Sequence, residues 1–454
     1  MWGTHILKYC IRHYTNRNML KLHERGMYED IFPGNSNTEV IDVLNSKPQR
    51  VYAGFDPTAD SLHIGNLLVL MNLLHWQRAG HRVIALIVDV SLLIGDPSGR
   101  TTDRPVLESL FVNDNVISLK KNIEQIFDNH DKYIWRKEGD QTLPEPLIVD
   151  NLDWYSDENI VEFISKIGRH FRVGTMLLRH SVQSRLNSEA GMSFTEFCYQ
   201  VFQAYDWLHL YRKYNCRFQV GGSDQMGNIV SGHDLISRAE NVQVYGLTLP
   251  LVTTETGHKF GKSEGNAVWL NADKSPPFEL YQFFLRCRDT EVEKLLKLFT
   301  FEKLSNISEI MKKHQKQPEL RIAQKKLAEK VTILVHGEAG LQSALSATSA
   351  LYEQNVNSLV QLGEREISSV FSGAKTCDLM LHPGTTTLEL AMRAGCFTNE
   401  RDATRIISAG GFYINHQRVT NIEEVLTHSA HILPNNVTLI RVGKKNYYVV
   451  RWLK

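Results

Sequence analysis

The sequence predicts an α/β protein in which a parallel sheet covered by helices is followed by a helical domain and a small α+β domain. Short β-rich runs alternate with helical patterns over residues 50–270, which is typical of a parallel sheet. A Lys/Glu-rich helical pattern then covers residues 276–370. The length of 454 residues accommodates about three domains at roughly 150 residues each.

The first β-α-β unit illustrates the pattern. Residues 51–55 predict a strand, and residues 56–58 its turn. Apolar side chains then recur at helical spacing up to Gly80, a residue typical of a helix C-terminus. The next predicted strand covers residues 82–90. Further predicted strands cover residues 146–151, 216–221 and 247–253.

The C-terminal part of the chain predicts a small separate domain. Residues 371–387, with Gly373, Pro383 and Gly384, are typical of a linker. Residues 388–454 predict two helices, at 388–394 and 400–409, followed after Gly410-Gly411 by strands near 412–414 and 437–452.

Composition excludes several classes of protein. Apolar residues at 42% and charged residues at 22% are ordinary for a globular protein, and the longest apolar stretch, residues 83–95, is too short for a transmembrane helix, which needs about 20 residues. The six cysteines form no CxxC pair, so neither a zinc site nor a disulfide framework is indicated.

The charge is balanced overall but not locally. Lys and Arg total 51 against 50 Asp and Glu, so any affinity for a polyanion must come from a local cluster. The last 30 residues contain no acid and include Arg441, Lys444 and Lys445. The sequence therefore predicts that the local basic patch lies in the tail, with a tail that merely caps the helical domain as the alternative.

The first 24 residues have the composition of a mitochondrial transit segment. They contain four basic residues and no acid before Glu24, with apolar and aromatic residues between them. A frayed basic N-terminus is the alternative, and no cleavage point can be identified.

Five polar clusters each follow a predicted strand. They are residues 52–56 with His63, residues 91–104, Asn151, residues 221–225 and residues 259–263. Ligands of open parallel sheets bind beyond the carboxyl ends of the strands, so the five clusters predict one shared pocket.

Two of the clusters predict phosphate binding. His63 and Gly65 open a helix, where free backbone N–H groups and the helix dipole favour an anion. Lys259, Lys262 and Ser263 place two ammonium groups and a hydroxyl on a glycine-containing loop. A P-loop is excluded, because Gly257 lies one residue too close to Gly261. In isolation each cluster could instead be structural, as a capping histidine or a solvated basic loop.

Taken together, these motifs resemble the bacterial and organellar tyrosyl-tRNA synthetases. The motifs, in order, are YAGFDPTADSLHIG at 52–65, IGDPSG at 94–99, GGSDQ at 221–225 and KFGKS at 259–263. Residues 63–66 stand for the class I "HIGH" signature and residues 259–263 for "KMSKS". The resemblance covers nearly everything from about residue 50 to the end. It implies a Rossmann-like catalytic domain at 25–275, a helical anticodon-binding domain at 276–370, a linker at 371–387 and an S4-like RNA-binding domain at 388–454.

The resemblance also implies a reaction. The carboxylate of tyrosine attacks the α-phosphate of ATP, which enters with Mg²⁺, and the tyrosyl group then passes to the 3′ end of its tRNA. Neither step requires a protein nucleophile, so positioning and charge neutralisation should supply the catalysis.

No structural metal is expected. The implied partners are tRNA(Tyr), ATP, L-tyrosine and a second subunit of a homodimer, with residues 163–186 near the interface. The implied location is the mitochondrial matrix.

The family pattern assigns a role to each matching residue of this chain. The pyrophosphate end of ATP is held by Thr58, His63, Lys259 and Lys262, helped by Arg100 and Arg104. Asn66 and Ser263 complete the implied catalytic residues. The nucleotide is further contacted by Asp56, Gly65 and Asp224, together with Lys262. Tyrosine is bound at its phenolic hydroxyl by Tyr52 and Asp206, and at its ammonium group by Asp96, Tyr199 and Gln203, with Gln219 and Gln225 nearby.

Two departures from the family and two rival hypotheses accompany this interpretation. Asn66 replaces the second histidine of "HIGH", and Ala53 stands where bacterial relatives often have cysteine.

A catalytically dead scaffold that only binds RNA or assists splicing is one rival, which the intact signatures disfavour. A tryptophan-specific relative is the other, and the pair of Tyr52 and Asp206 favours tyrosine. Without the motifs, Asp206 would be interpreted as a helix-surface acid.

Overall fold

A computed structural model of the chain describes residues 17–96, 109–136, 142–189, 191–251, 262–263, 266–352, 359–360, 362–363, 366–367, 370–371, 374–443 and 446–453. Packing divides the chain into two units: Met1–Lys274 with Phe284–Val335, and Ser275–Phe283 with His336–Lys454. Over the described ranges, no helix is both long and apolar enough to span a membrane.

The strands and helices alternate in the first part of the chain, as the sequence predicts. The strands are β1 (Ile31–Phe32), β2 (Arg50–Phe55), β3 (Arg82–Ile87), β4 (Leu147–Asp150), β5 (Phe218–Gly222), β6 (Tyr245–Leu249), β7 (Lys262–Ser263), β8 (Asn266–Ala267), β9 (Lys375–Met380), β10 (Phe412–Ile414), β11 (Gln417–Val419), β12 (Val437–Val442) and β13 (Asn446–Leu453). The α-helices are α1 (Asn37–Ser46), α2 (Ile64–Arg78), α3 (Asp89–Ile94), α4 (Ser109–Asn129), α5 (Leu152–Tyr155), α6 (Ile160–Lys166), α7 (Val173–Leu177), α8 (His180–Leu186), α9 (Phe194–Tyr214), α10 (Met226–Glu240), α11 (Pro277–Leu285), α12 (Asp289–Phe299), α13 (Leu304–Lys316), α14 (Ile322–Tyr352), α15 (Thr387–Arg393), α16 (Glu400–Ser408) and α17 (His428–His431). Short 3₁₀ helices cover Met19–Arg25, Gly168–His170, Ser223–Gln225 and Pro318–Leu320, and a π-helical turn covers His130–Trp135.

The first unit is built on a six-stranded sheet in the order β1-β6-β5-β2-β3-β4. Its neighbouring strands are parallel except at β1 and β6, which are antiparallel. Strand β2 lies between β3 and β5, so the chain leaves the carboxyl ends of β2 and β5 in opposite directions and opens a crevice between them. The predicted α/β architecture is confirmed, and the crevice is where the predicted pocket should lie.

The predicted helical domain at 276–370 is divided between the two units. Residues Phe284–Val335 pack with the sheet, whereas Ser275–Phe283 and the chain from His336 belong to the second unit. Helix α12 buries one apolar face, and α14 is interrupted at Gly337, where φ is +71°. The uniform helical pattern does not reveal this division, because periodicity shows which face of a helix is buried but not which unit covers it.

The N-terminal 3₁₀ helix belongs to the first unit. Met19 is buried, and the guanidinium group of Arg25 donates hydrogen bonds to the carbonyl oxygens of Lys297, Thr300 and Glu302 at 2.6–2.8 Å. These carbonyls lie at and beyond the C-terminal end of α12, where a cation is favourable. The predicted transit segment at 1–24 thus overlaps a folded element, while residues 1–16 lie outside the described part of the chain.

The second unit carries a five-stranded sheet in the order β11-β10-β12-β13-β9. Strand β9 lies inside the linker predicted at 371–387 and pairs in parallel with β13, so the prediction of a linker there is wrong. The glycines and proline around it suggested a loop, but Cys377 and Leu379 alternate with exposed residues and pack on the apolar core of the unit. Alternation with a period of two is typical of a strand.

Candidate active site

A cavity of about 620 Å³ opens at the carboxyl ends of β2 and β5. It joins residues from three of the five polar clusters predicted from the sequence, namely residues 52–56 with His63, residues 91–104 and residues 221–225. The predicted site residues that line it are Tyr52, Asp56, Thr58, His63, Asn66, Asp96, Tyr199, Gln203, Asp206, Gln219 and Gln225. Arg100, Arg104 and Lys259 lie outside the described residues, as do Lys444 and Lys445, and only the backbone of Lys262 and Ser263 is described.

Asp206 lies inside the protein and not on a helix surface. Its side chain is on α9 and is 1% exposed. The indole Nε1 of Trp154 donates to Asp206 Oδ1 at 3.0 Å, and the amide of Asn151 donates to Oδ2 at 3.3 Å. Burial raises the pKa of Asp206 to about 7, and these two donors partly oppose the shift. A carboxyl group in this state can accept a hydrogen bond from a buried hydroxyl.

Tyr52 lies in the same part of the cavity. Strand β2 places it in register with Ile84 on one side and Gln219 on the other. Its side chain is 1% exposed, and its hydroxyl has no hydrogen-bond partner among the described residues. Burial, followed by the neighbouring Asp206, raises the pKa of this hydroxyl well above its usual value. A buried hydroxyl without a partner indicates that a ligand supplies one.

A second hydrogen-bonded group lines the cavity around Gln225. Its Nε2 donates to Asp96 Oδ2 at 2.8 Å, and its Oε1 accepts from Gln203 Nε2 at 3.2 Å and from Asn228 Nδ2 at 3.0 Å. Gln203 Oε1 is buried and unpartnered within the described structure. Tyr199 and Gln203 share one face of α9 because they are four residues apart. The carboxylate and this amide oxygen are suited to a cationic ligand group.

The predicted phosphate site at His63 is a helix N-terminus. His63 is the N-cap of α2, and its backbone N–H donates to Asn66 Oδ1 at 3.1 Å. Because this bond occupies Oδ1, the Asn66 NH₂ group is directed away from His63. The imidazole packs so close to Gly65 that a Cβ there would lie 2.7 Å from His63 Cε1, so a larger residue at this position would displace the imidazole. The backbone donors of the first turn are suited to an anion.

The chain that follows the second signature lies against the first signature. Residues 262–263 and 266–267 form the β7-β8 hairpin, and the chain that follows pairs with the His63 turn through a bridge to Trp269. The backbone N–H of Ile64 donates to Val268 O at 3.1 Å. The segment after the second signature is therefore held against the first signature.

Asp224 and Gly65 are predicted site residues that do not line the cavity. Asp224 lies beside it, because its carboxylate folds over Gly222, where a Cβ would lie 2.6 Å from Asp224 Oδ1. Sequence reasoning missed Trp154, Asn228 and Trp269. Their only sequence signal is proximity to a motif, since Trp154 and Asn228 each follow a singled-out residue by three positions.

Comparison with known protein families supports the family resemblance that the motifs indicate. Residues 44–353 match the model of class I tRNA synthetases (W and Y), and residues 366–450 match the model of the tyrosine–tRNA ligase SYY-like C-terminal domain. The mitochondrial tyrosine–tRNA ligase of Drosophila melanogaster is 55% identical over 449 residues, which are 98% of this chain and 97% of that protein. The chain belongs to the tyrosine–tRNA ligase family.

Other members of the tyrosine–tRNA ligase family agree in sequence and in structure. The mitochondrial enzyme of Homo sapiens is 46% identical over 437 residues, covering 95% of this chain and 91% of that protein. A C-terminally truncated mitochondrial tyrosyl-tRNA synthetase of Aspergillus nidulans superposes with a TM-score of 0.69 at 31% identity, covering 75% of this chain and 96% of that one. The predicted family, fold class and kind of enzyme are thereby confirmed, and the tryptophan-specific rival is excluded.

Proposed function

We propose that this tyrosine–tRNA ligase binds L-tyrosine with its phenol between Tyr52 and Asp206 and its ammonium group against Asp96 and Gln203. The observation that supports this assignment is a pair of buried, unpartnered polar atoms in one cavity, Tyr52 Oη and Gln203 Oε1. The first lies beside a buried carboxyl group and the second beside a carboxylate. A ligand that carries a hydroxyl at one end and an ammonium group at the other satisfies both.

The phenol is recognised as both donor and acceptor. The substrate hydroxyl donates to Asp206, and the hydroxyl of Tyr52 donates to the substrate oxygen. Phenylalanine offers neither interaction. It would leave the Tyr52 hydroxyl buried and unpaired and deprive Asp206 of one donor, which is more costly than the loss of a hydrogen bond in water. Tyr199 and Gln219 complete the same pocket.

ATP is assigned to the His63 side of the cavity. We assign the pyrophosphate end to Thr58, His63 and Asn66, because they line the cavity where α2 begins and the positive end of the helix dipole favours an anion there. Arg100, Arg104, Lys259, Lys262 and Ser263 share this role by resemblance, while Asp56, Gly65 and Asp224 contact the nucleotide. ATP enters as its Mg²⁺ complex.

Activation then needs no protein nucleophile. A carboxylate oxygen of tyrosine forms a bond to the α-phosphorus, and the bond from that phosphorus to the bridging oxygen of pyrophosphate breaks. The protein holds the two reactants in line and neutralises the charge that grows on the phosphates. A ribose hydroxyl at the 3′ end of the tRNA next attacks the tyrosyl carbonyl and releases AMP.

ATP–pyrophosphate exchange tests the assignment. The exchange rate is measured separately with tyrosine, tryptophan and phenylalanine at equal concentrations. Strong exchange with tyrosine alone is expected. Equal exchange with all three amino acids would refute the proposed pocket.

We assign tRNA binding to the C-terminal unit and to the helical segment at 276–370, which by resemblance recognises the anticodon. In the tail, the guanidinium group of Arg441 stacks on Tyr413 at 3.8 Å from the ring centroid. A planar cation on an aromatic face is suited to phosphates and to exposed bases. Lys444 and Lys445 follow closely in the sequence.

Changing Arg441 to Gln should weaken tRNA(Tyr) binding and reduce its salt dependence. Loss of one phosphate contact lowers the slope of log K against log salt by about 0.7–0.9. Filter binding at several salt concentrations measures both quantities. Lys47→Gln in the first unit is the matched control and should change neither, and an unchanged slope in the Arg441 variant would contradict the assignment.

We propose that the protein forms a homodimer through residues 160–186. Large apolar side chains are exposed there, including Ile160, Val161, Val173 and Leu178 at 62–77%. Phe163, the first residue of the interface predicted from the sequence, instead packs inward against Phe202 and Tyr205. An exposed apolar surface of this kind is typical of an interface.

Changing Leu178 to Asp should raise the dimer dissociation constant by about tenfold or more, because one apolar side chain per subunit is replaced by a charge. Sedimentation velocity at several protein concentrations measures this shift. Leu320→Asp, at a residue 45% exposed outside the segment, is the control. A dimer of unchanged stability would move the proposed interface elsewhere.

The relatives from Drosophila melanogaster and Homo sapiens are named mitochondrial, and we propose that this chain acts in the mitochondrial matrix. Because the turn at Met19–Arg25 packs within the first unit, we place the end of the transit segment before Arg17. Import into isolated mitochondria followed by N-terminal sequencing of the product tests both statements.

A further inference from the structure

The hydrogen bonds around Gln225 have a definite direction. Asp96 has only acceptor oxygens when ionised, so the Nε2 of Gln225, at 2.8 Å, must face it. The amide oxygen of Gln225 therefore faces the other way and requires donors. Asn228 and Gln203 supply them at 3.0 and 3.2 Å.

Of these two donors, Asn228 is the one held away from the substrate. It lies in the first turn of α10, is 5% exposed and does not line the cavity, whereas Gln203 lines it. The amide of Gln203 also has an unpartnered oxygen within the described structure, so its orientation is open to a ligand. A side chain fixed on a helix and shielded from solvent is a rigid support for a binding group.

We propose that Asn228 is a positioning residue for tyrosine binding. By donating to Gln225 Oε1 it keeps the other end of that amide on Asp96, and so holds the Asp96 carboxylate in place for the ammonium group of tyrosine. This inference rests on the assignment of the ammonium group to Asp96 in the proposed function.

Asn228→Asp replaces the hydrogen-bond donor that faces Gln225 Oε1 by an acceptor. Gln225 would then lie between two carboxylates, and either orientation of its amide would point an oxygen at one of them. Aspartate has the shape of asparagine, and an acid in the first turn of a helix is favoured by the helix dipole. Asn228→Asp therefore alters the hydrogen bonding without a large change in packing.

The experiment compares Asn228→Asp, Asn228→Leu and Asn228→Ser in the full-length chain. The KM for tyrosine in pyrophosphate exchange should rise about tenfold or more for Asp, less for Leu and least for Ser, which keeps a donor. The KM for ATP and the melting temperature should stay near those of the parent. In this order Asp is worst because it adds a negative charge and no donor, Leu only removes the donor, and Ser retains one. Side-chain size alone would give a different order.

Asp96→Asn is measured in parallel to separate the two proposals. If it raises the KM for tyrosine and Asn228→Asp does not, the positioning role is overturned and the ammonium assignment stands. If Asp96→Asn leaves tyrosine binding unchanged, the ammonium assignment fails, and the positioning role fails with it. If Asn228→Asp weakens tyrosine and ATP equally and lowers the melting temperature, Asn228 is merely structural and the inference is overturned.

Discussion

Replacing Asp206 by alanine should reduce the selection of tyrosine over phenylalanine by about 10²-fold, because a hydrogen bond to a buried carboxyl group disappears. Tyrosine–tRNA ligases are themselves the standard example of such selection, at about 10⁵-fold. The ratio of kcat/KM for the two amino acids in pyrophosphate exchange measures the effect. A ratio equal to that of the parent would remove Asp206 from the recognition of the hydroxyl.

The pH dependence of stability provides a second test of the same variant. Burial raises the pKa of Asp206 from 3.8 to about 7, so between these values the folded chain holds a proton that the unfolded chain releases. This group therefore makes the free energy of unfolding decrease as pH rises through that window. Asp206→Ala should lose less stability than the parent as the pH rises from about 4 to about 7. Thermal melting across this range provides the measurement.

Replacing Arg185 by methionine should destabilise the region around α8 and α9 by about 3–5 kcal/mol, because it leaves a carboxylate buried without its partner. Arg185 is fully buried and forms a bidentate pair with Glu196 at 2.7 and 3.0 Å, while its third nitrogen donates to Ser188 Oγ at 2.9 Å. Hydrogen exchange of the amides in α8 and the first turn of α9 measures the local loss.

Two variants make that result specific. The double variant Arg185→Met/Glu196→Met removes both charges and should recover most of the protection, since a buried ion pair can be replaced by apolar side chains at little net cost. Lys166→Met breaks the exposed pair with Glu162 in the same part of the chain and should leave exchange unchanged. Equal loss in the single and the double variant would show that packing, and not charge pairing, holds the two helices together.

Sequence patterns predicted more of the fold than of the candidate site. The strands at β2 to β6 were predictable because each is a short apolar run between turn signals, and parallel order follows from the intervening helices. The linker prediction failed at β9, where the local glycines and proline outweighed a short alternating run. The division of the helical segment was also unpredictable, since it depends on which unit buries each helix.

The site shows the same limit at the level of single residues. Asp206 could be assigned only through the family motifs, because the sequence of α9 does not reveal that this face is fully buried. Trp154 and Asn228 were missed because neither belongs to a motif. Their roles in the site depend on where the chain runs after β4 and β5. That path is a property of the tertiary structure.

The hydrogen bonds of Arg25 join residues 272 to 277 positions apart in the sequence. A chain that emerges N-terminus first from a ribosome or a translocation pore therefore presents the Met19–Arg25 turn long before its acceptors at residues 297–302 exist in the same compartment. The first unit extends to Val335, so it can close only after roughly three quarters of the polypeptide has been delivered. Until then the basic Met19–Arg25 turn is available to chaperones, and the unit is completed late in the order of folding.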